Sequence, residues 1–305
     1  LALGYAGMAD GIQKRGLTVV NVAHDAHNGC ALDQAVLGVC RFIKEALLNG
    51  DNHLASHLGT QLVSDESGEA IYANNLPFSH LPILPMLSEM LPIKEFHIEN
   101  DANAAALGEA VAGCGNGVKN FVAVTLGTGV GSGIIIDGKI YRGSNFCGGE
   151  MGHMVINVDG IPCNCGRKGC WEKYASATAL VSQAVEAMEG NKDSLLWKTC
   201  EGDLNKVDGK SIFDALDMGD AIAKAVVDRY LYYVSIGLAN VINALQPEAV
   251  CIGGGISGQG EKILKPIRDI VKAERYSVYA DKQAAIIPAA LGNDAGIIGA
   301  ALLDD

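Results

Sequence analysis

The chain is 305 residues long, carries a formal net charge of −12, and is 49% hydrophobic, 19% charged and 6% aromatic. That length suits one large domain or two medium ones around a buried core, and the acidic balance disfavours nucleic acid and anionic membranes as partners. Nine cysteines, an odd number with three crowded at 163, 165 and 170, read as metal ligands plus buried thiols and not as a disulfide framework.

Leu1 to Asp10 lacks the basic start and apolar run of a secretory leader, so a cytoplasmic chain is expected. An apolar-flanked strand ending near Glu99 runs into an Ala-rich helix predicted over Asp101 to Ala112, which the Gly-Cys-Gly-Asn-Gly stretch at 113–117 breaks. Asn120 to Leu126 and Ser132 to Ile136 read as strands, and Asp137-Gly138 as a hairpin turn before a third strand over Lys139 to Arg142. The uncharged run from Phe121 to Ile136 is 16 residues with four glycines, too short and too Gly-rich for a membrane span. Ile222, Val226, Tyr230, Val234, Leu238, Val241, Ile242 and Leu245 form one face of a long helix that Pro247 stops. A short strand, Ala249 to Ile252, leads through three glycines to a helix over about Glu261 to Ala273. A last helix, Asp294 to Leu303, has Asp294 as its expected N-cap. Alternating helices and strands place the chain in the α/β class.

Five stretches carry chemistry. Cys163-Asn-Cys165-Gly-Arg-Lys-Gly-Cys170, with His153 ten residues upstream, offers three thiolates and an imidazole, the closed tetrahedral set of a structural Zn²⁺ site; three buried thiols that happen to lie close are the alternative. In Glu99-Asn100-Asp101-Ala102-Asn103, Asp101 stands at a strand-to-helix junction. The helix dipole favours its ionised form there, and an ionised carboxylate can accept a hydroxyl proton. A plain Asp N-cap would explain the same residue. Leu126-Gly-Thr-Gly-Val-Gly-Ser-Gly133 is neither a Walker A loop nor a dinucleotide fingerprint, but its glycines let backbone amides approach an anion; a bulged hairpin corner is the alternative. Gly253-Gly254-Gly255 follows a strand, where a base or ribose can lie flat on backbone, and a tight turn explains it equally well. Glu150, His153 and Glu172 bracket the cysteine loop and suit vicinal sugar hydroxyls, although surface acids are the usual fate of Glu.

In this order the motifs resemble the ROK family of bacterial sugar kinases and repressors, from about Asn74 to Leu303. The residues that carry the resemblance are Glu99–Glu109, Leu126–Gly133, Gly149–His153, Cys163–Glu172, Gly253–Ser257 and Gly292–Ala300. Within the family the stretch is most similar to glucokinases of Gram-positive bacteria. The resemblance implies a two-lobed actin-like (ribonuclease H-like) ATPase fold with a cleft. Residues 1–112 with 293–305 would form the smaller lobe, and 113–292 the larger lobe with the zinc loop. It implies ATP with Mg²⁺ as phosphoryl donor, glucose or a related hexose as acceptor, and Asp101 as the base at the sugar 6-hydroxyl. Asn100, Asp101, Glu150, His153 and Glu172 would bind the sugar, Gly127, Thr128 and Gly129 the phosphates, and Gly253, Gly254 and Gly255 the adenosine. His153, Cys163, Cys165 and Cys170 would hold zinc. A homodimer or homotetramer is implied, with no nucleic acid or membrane partner.

The chain departs from the family pattern twice. Where family kinases carry Asp-x-Gly-Gly-Thr, it has Leu3-Gly-Tyr-Ala-Gly-Met8, without a carboxylate; where they carry Gly-x-Pro-Gly, it has Leu58-Gly-Thr-Gln-Leu-Val63. Taken literally, the first predicts a large loss of phosphoryl transfer with sugar and zinc binding partly kept. The family's repressors carry an added helix-turn-helix domain ahead of the kinase-like part. Here the Asp101 motif stands where the bare kinases have it, so a DNA-binding role is not expected. A kinase for fructose, mannose or an N-acetylhexosamine, and a catalytically impaired sugar binder, are the alternatives.

Overall fold

A computed structural model of the chain describes residues 18–21, 56–60, 63–64, 70–72, 79–90 and 96–303. The altered loop at Leu3–Met8 lies outside the described residues. Of the second departure, Leu58–Thr60 ends one strand, Val63 opens another, and Gln61-Leu62 lies outside the described residues. The described residues fall into two compact units. One comprises those up to Gly117 with Gly133–Gly149 and those from Leu291; the other comprises Val118–Ser132 and Glu150–Ala290.

The first unit contains, in chain order, β1 (Thr18–Asn21), β2 (Ser56–Thr60), β3 (Val63–Ser64), β4 (Ala70–Tyr72), β5 (Ser79–Leu81), α1 (Ile83–Met90), β6 (Phe96–Asn100) and α2 (Asp101–Val111). β1, β2 and β6 form a parallel sheet in that order, and β3, β4 and β5 an antiparallel one. The sheet register ends Thr60 opposite Asn100, so β6 delivers its last residue directly to the start of α2.

The second unit begins with β7 (Phe121–Leu126) and β8 (Val130–Ile136), and the chain passes back to the first unit at Gly133, before β9 (Lys139–Ile140). The Asp137-Gly138 turn joining β8 to β9 has positive φ at both residues, 51° and 78°, which is the type I′ geometry that Asp-Gly favours. Then come α3 (Glu172–Ala175), α4 (Ala177–Glu189), α5 (Leu196–Thr199), α6 (Gly209–Asp217), α7 (Ala221–Leu245), β10 (Ala249–Gly253), α8 (Glu261–Glu274) and β11 (Ala285–Pro288). The sheet order is β11-β10-β7-β8-β9, with β10 parallel to both neighbours. Every residue of β10 is buried, as expected of a central parallel strand covered on both faces.

The helix α7 is the long apolar-faced one read from the sequence. Its residue Gly237 leaves room for the fully buried Trp171, whose indole donates to the Tyr233 carbonyl at 2.9 Å. Tyr230 on the same helix donates to the Ala175 carbonyl at 2.9 Å. These two bonds fix α3, and with it Glu172, on a rigid base.

The chain closes with α9 (Ala295–Ala300), back in the first unit. One expectation holds in position only: Asp294 stands at the N-cap of this helix. A 3₁₀ turn over Gly292–Asp294 leads into it, so Asp294 is already in the right-handed helical region and its side chain makes no capping bond. The reason for the Ala-rich sequence of α2 is its contact with α9. A Cβ on Gly108 would overlap the Ala295 carbonyl, and one on Gly299 would overlap the Ala104 carbonyl. The two backbones therefore touch with no side chain between them.

Gly299→Ala would stabilise an isolated helix by about 1 kcal/mol. Here it is expected to destabilise the protein by roughly 1–3 kcal/mol through overpacking. Urea unfolding measures the sign, and a stabilised variant would show that the helices are not in backbone contact.

Candidate active site and metal centre

In the first unit the site is built around two neighbouring carboxylates. Asn100 leaves β6 in extended conformation, and its side chain accepts from the amides of Ala102 (2.9 Å) and Asn103 (3.2 Å). The N-cap is thus Asn100 and not Asp101. Asp101 is the first helical residue, with Oδ1 2.9 Å from the Ala102 amide. That position sets its carboxylate at the positive end of the helix dipole.

Glu99, on the strand side, is only 5% exposed. Its Oε1 accepts from the Asn100 amide at 3.0 Å and from Asn103 Nδ2 at 2.9 Å, while Oε2 is paired with Arg142 beyond β9. A buried carboxylate needs such partners to stay charged. The result is that the peptide between Glu99 and Asn103, which includes Asp101, is held from three directions. At the other end of α2, the buried Glu109 accepts from the amides of Leu291 (2.7 Å) and Cys114 (3.0 Å), tying the helix exit to the Gly292–Ala300 motif.

In the second unit three motifs pack on one another. Neither Gly127 nor Gly129 has a positive φ, so what they supply is space and not unusual backbone angles. A Cβ on Gly129 would overlap the Glu172 carboxylate, and one on Gly152 would overlap the Val130 carbonyl. Glu172 Oε2 accepts from the Val130 amide at 3.2 Å, and the Met151 amide donates to the buried Ser132 hydroxyl at 3.1 Å. Glu150, which is exposed, precedes a 3₁₀ turn over Met151–His153.

The four candidate metal ligands come together. The ligand atoms of His153, Cys163, Cys165 and Cys170 all lie within 4.8 Å of one another. His153 Nδ1 stands 3.7 Å from Cys163 Sγ, and Cys165 Sγ 3.5 Å from Cys170 Sγ. Burial opposes a thiolate at Cys165, but hydrogen bonds from the Arg167 amide and the two other thiols outweigh it and bring its pKa down to about 6. At Cys170, burial and the hydrogen bonds and charges of the same neighbours push the thiol up to about 12. Of these two neighbouring thiols, Cys165 ionises readily and Cys170 resists.

A cavity of about 330 Å³ in the second unit is lined by Gly127, Thr128 and Gly255. It thus unites part of the glycine hairpin with part of the triple glycine. Gly254, with φ 87°, brings the backbone against the Leu126 carbonyl, where a Cβ would clash. Ala177, Lys210, Phe213 and Gln259 also line the cavity and were not singled out from the sequence. Lys210 and Phe213 sit on α6, whose Asp208 capping box is an ordinary helix start, so nothing local marks them. Asn100 and Asp101 belong to the first unit; Glu150, His153, Glu172, Gly127, Thr128, Gly129 and Gly253–Gly255 belong to the second.

A chain with these two units and this site chemistry belongs to the ROK family, whose profile matches residues 37–305. It is 43% identical over 236 residues to a glucokinase of Halalkalibacterium halodurans, covering 77% of this chain and 70% of that protein. It is 37% identical over 272 residues to a glucokinase of Thermotoga maritima, covering 86% and 84%. The structure of a ROK family glucokinase from Streptomyces griseus, in complex with glucose and AMPPNP, superposes with a TM-score of 0.78 at 33% identity, covering 90% of this chain and 88% of that one. A xylose repressor of Bacillus subtilis is 30% identical over 235 residues, which is 77% of this chain and 56% of the repressor.

Glu99→Ala would leave Arg142 and the Asn103 amide without their acceptor. The expected loss is about 2–3 kcal/mol of stability, with a smaller loss for Glu99→Gln. Thermal unfolding of both variants checks the order.

Proposed function

We infer that this chain is an ATP-dependent hexose kinase, and we propose that it phosphorylates glucose at the 6-hydroxyl with Asp101 as the general base. The observation that carries the base assignment is the division of labour at the start of α2. Asn100 is the N-cap, and Asp101, the first helical residue, sets its carboxylate at the positive end of the helix dipole, which favours the ionised form that a base requires. Asp101 would take the 6-hydroxyl proton as the sugar oxygen bonds to the γ-phosphorus and the bond to ADP breaks. Such a base contributes about 10²–10⁴ in rate. Asn100, Glu150, His153 and Glu172 would hold the other hydroxyls. Gly127, Thr128 and Gly129 would offer backbone amides to the phosphates, and the cavity by Gly253–Gly255 would take the adenosine. Mg²⁺ would arrive with ATP as part of the substrate.

We propose further that His153, Cys163, Cys165 and Cys170 hold one Zn²⁺. Tetrahedral thiolate ligation at about 2.3 Å puts neighbouring ligand atoms about 3.7 Å apart, and the 3.5 and 3.7 Å separations fit it. A bound cation would favour the thiolate form at all three cysteines. Its role is structural: Cys170 directly precedes Trp171 and Glu172, and His153 ends the turn that carries Glu150.

The test of the kinase reading is ADP release with Mg-ATP against glucose, fructose, mannose, N-acetylglucosamine and N-acetylmannosamine. Glucose is expected to be turned over, and Asp101→Asn to lower kcat by about 10²-fold or more. No turnover on any sugar, with glucose still raising the melting temperature, would instead support the reading as a catalytically impaired sugar binder. The zinc reading predicts about one zinc per purified chain by elemental analysis, lost in Cys165→Ser together with several degrees of melting temperature. A wild-type chain that purifies without zinc, with Cys165→Ser leaving its melting temperature unchanged, would count against it.

A further inference from the structure

We propose that Glu172 is a positioning residue for the nucleotide: through Val130 and Gly129 its carboxylate sets the shape of the turn offered to the phosphates. The proposal rests on the kinase reading and deepens it. In the turn from Gly127 to Val130, the carbonyls are turned into the protein. That of Gly127 accepts from the Ala177 amide at 2.8 Å, that of Thr128 from Thr178 Oγ1 at 2.9 Å, and that of Gly129 from the Gly127 amide at 3.0 Å. The Val130 carbonyl is packed on Gly152. The amides of Thr128 and Gly129 donate to no described residue. A turn with its carbonyls occupied and two successive amides left over is the arrangement that receives an anion.

Glu172 is what closes this turn on its far side. Its Oε2 takes the Val130 amide, the first of β8, and its carboxylate fills the space that a Gly129 side chain would need. Glu172 is itself immobilised, because it follows the buried Trp171 and opens α3, whose end is bonded to Tyr230. Among the described residues Oε1 accepts no hydrogen bond, so one oxygen holds the loop while the other is left for a ligand hydroxyl. A sugar hydroxyl on Oε1 and the Val130 amide on Oε2 would then share one carboxylate. Sugar occupancy and the shape of the phosphate loop become energetically linked, and the linkage is reciprocal.

The experiment titrates Mg-ADP into the sugar-free full chain by calorimetry, and glucose into the nucleotide-free chain, for wild type, Glu172→Ala, Glu172→Gln and Thr178→Val. Glu172→Ala is expected to weaken Mg-ADP about tenfold, the loss of one charge-assisted bond to the loop. Glu172→Gln restores it to within about threefold, because the amide oxygen can still take the Val130 N–H. Thr178→Val, which frees the Thr128 carbonyl, weakens Mg-ADP and leaves glucose binding unchanged. If Glu172→Ala does not fold by near-UV circular dichroism, Glu172→Asp, with the carboxylate withdrawn by one methylene, takes its place. A Glu172 that only binds sugar gives a different pattern: glucose affinity falls in both Glu172 variants while sugar-free Mg-ADP affinity stays at the wild-type value, and that result overturns the proposal. A wild-type chain that binds glucose but no Mg-ADP removes the kinase reading itself, and the proposal with it.

Discussion

A hairpin with glycine at every second position can be approached closely at those positions, and the stretch from Leu126 to Gly133 is the constraint on which much of this structure depends. Gly129 admits the Glu172 carboxylate, and Gly133 admits the Ala102 carbonyl and the Ala106 methyl of α2. A side chain at either place would push away an element that carries a candidate site residue. Glycine costs backbone entropy in a strand, so its repetition here signals close approach. The absence of positive φ at these positions locates the cause in packing and not in turn geometry.

Within each unit, each chemical group is held by a neighbour whose own position is fixed. Asp101 is preceded by Asn100, which caps α2, and by Glu99, whose buried charge is met by Arg142 and Asn103. Glu172 follows Trp171, which is seated on Gly237 and bonded to Tyr233. The cysteine loop folds back through the Cys163 amide to the Arg167 carbonyl at 2.8 Å and the Gly169 amide to the Ile161 carbonyl at 2.8 Å. These short-range bonds bring three thiols within ligand distance before any long-range contact is counted. A supporting shell of this kind keeps polar groups at fixed geometry, which is what preorganised chemistry requires.

Much of this was legible in the chain itself. The crowding of Cys163, Cys165 and Cys170 is local, and a tight loop leaves few ways to arrange it. The helix α7 announces itself by apolar spacing, and the Asp137-Gly138 turn by its residue types. Single residues at helix starts were less legible. Asn100 and Asp101 are both good caps, and which one serves depends on where β6 releases the chain. Asp294 reads as a cap and does stand at the N-cap of the last helix, yet with a 3₁₀ turn leading into it its side chain makes no capping bond. The cavity residues Lys210, Phe213 and Gln259 lie on elements far apart in sequence from the hairpin and carry no motif of their own.

What the sequence by itself determined is therefore everything written in short-range pattern: the α/β alternation, the metal-type cysteine loop, the glycine hairpin, the Asn100-Asp101 junction and the ROK resemblance that these carry in order. What only the tertiary structure decided are the partners. Glu99 meets Arg142 across 43 positions, Glu172 meets Val130 across 42, and Glu109 meets Leu291 across 182. A carboxylate in a sequence states that it needs a donor, because its charge cannot be buried unpaired. It does not state which one, since that choice is made when strands pair and helices dock and bring particular amides or a guanidinium within reach.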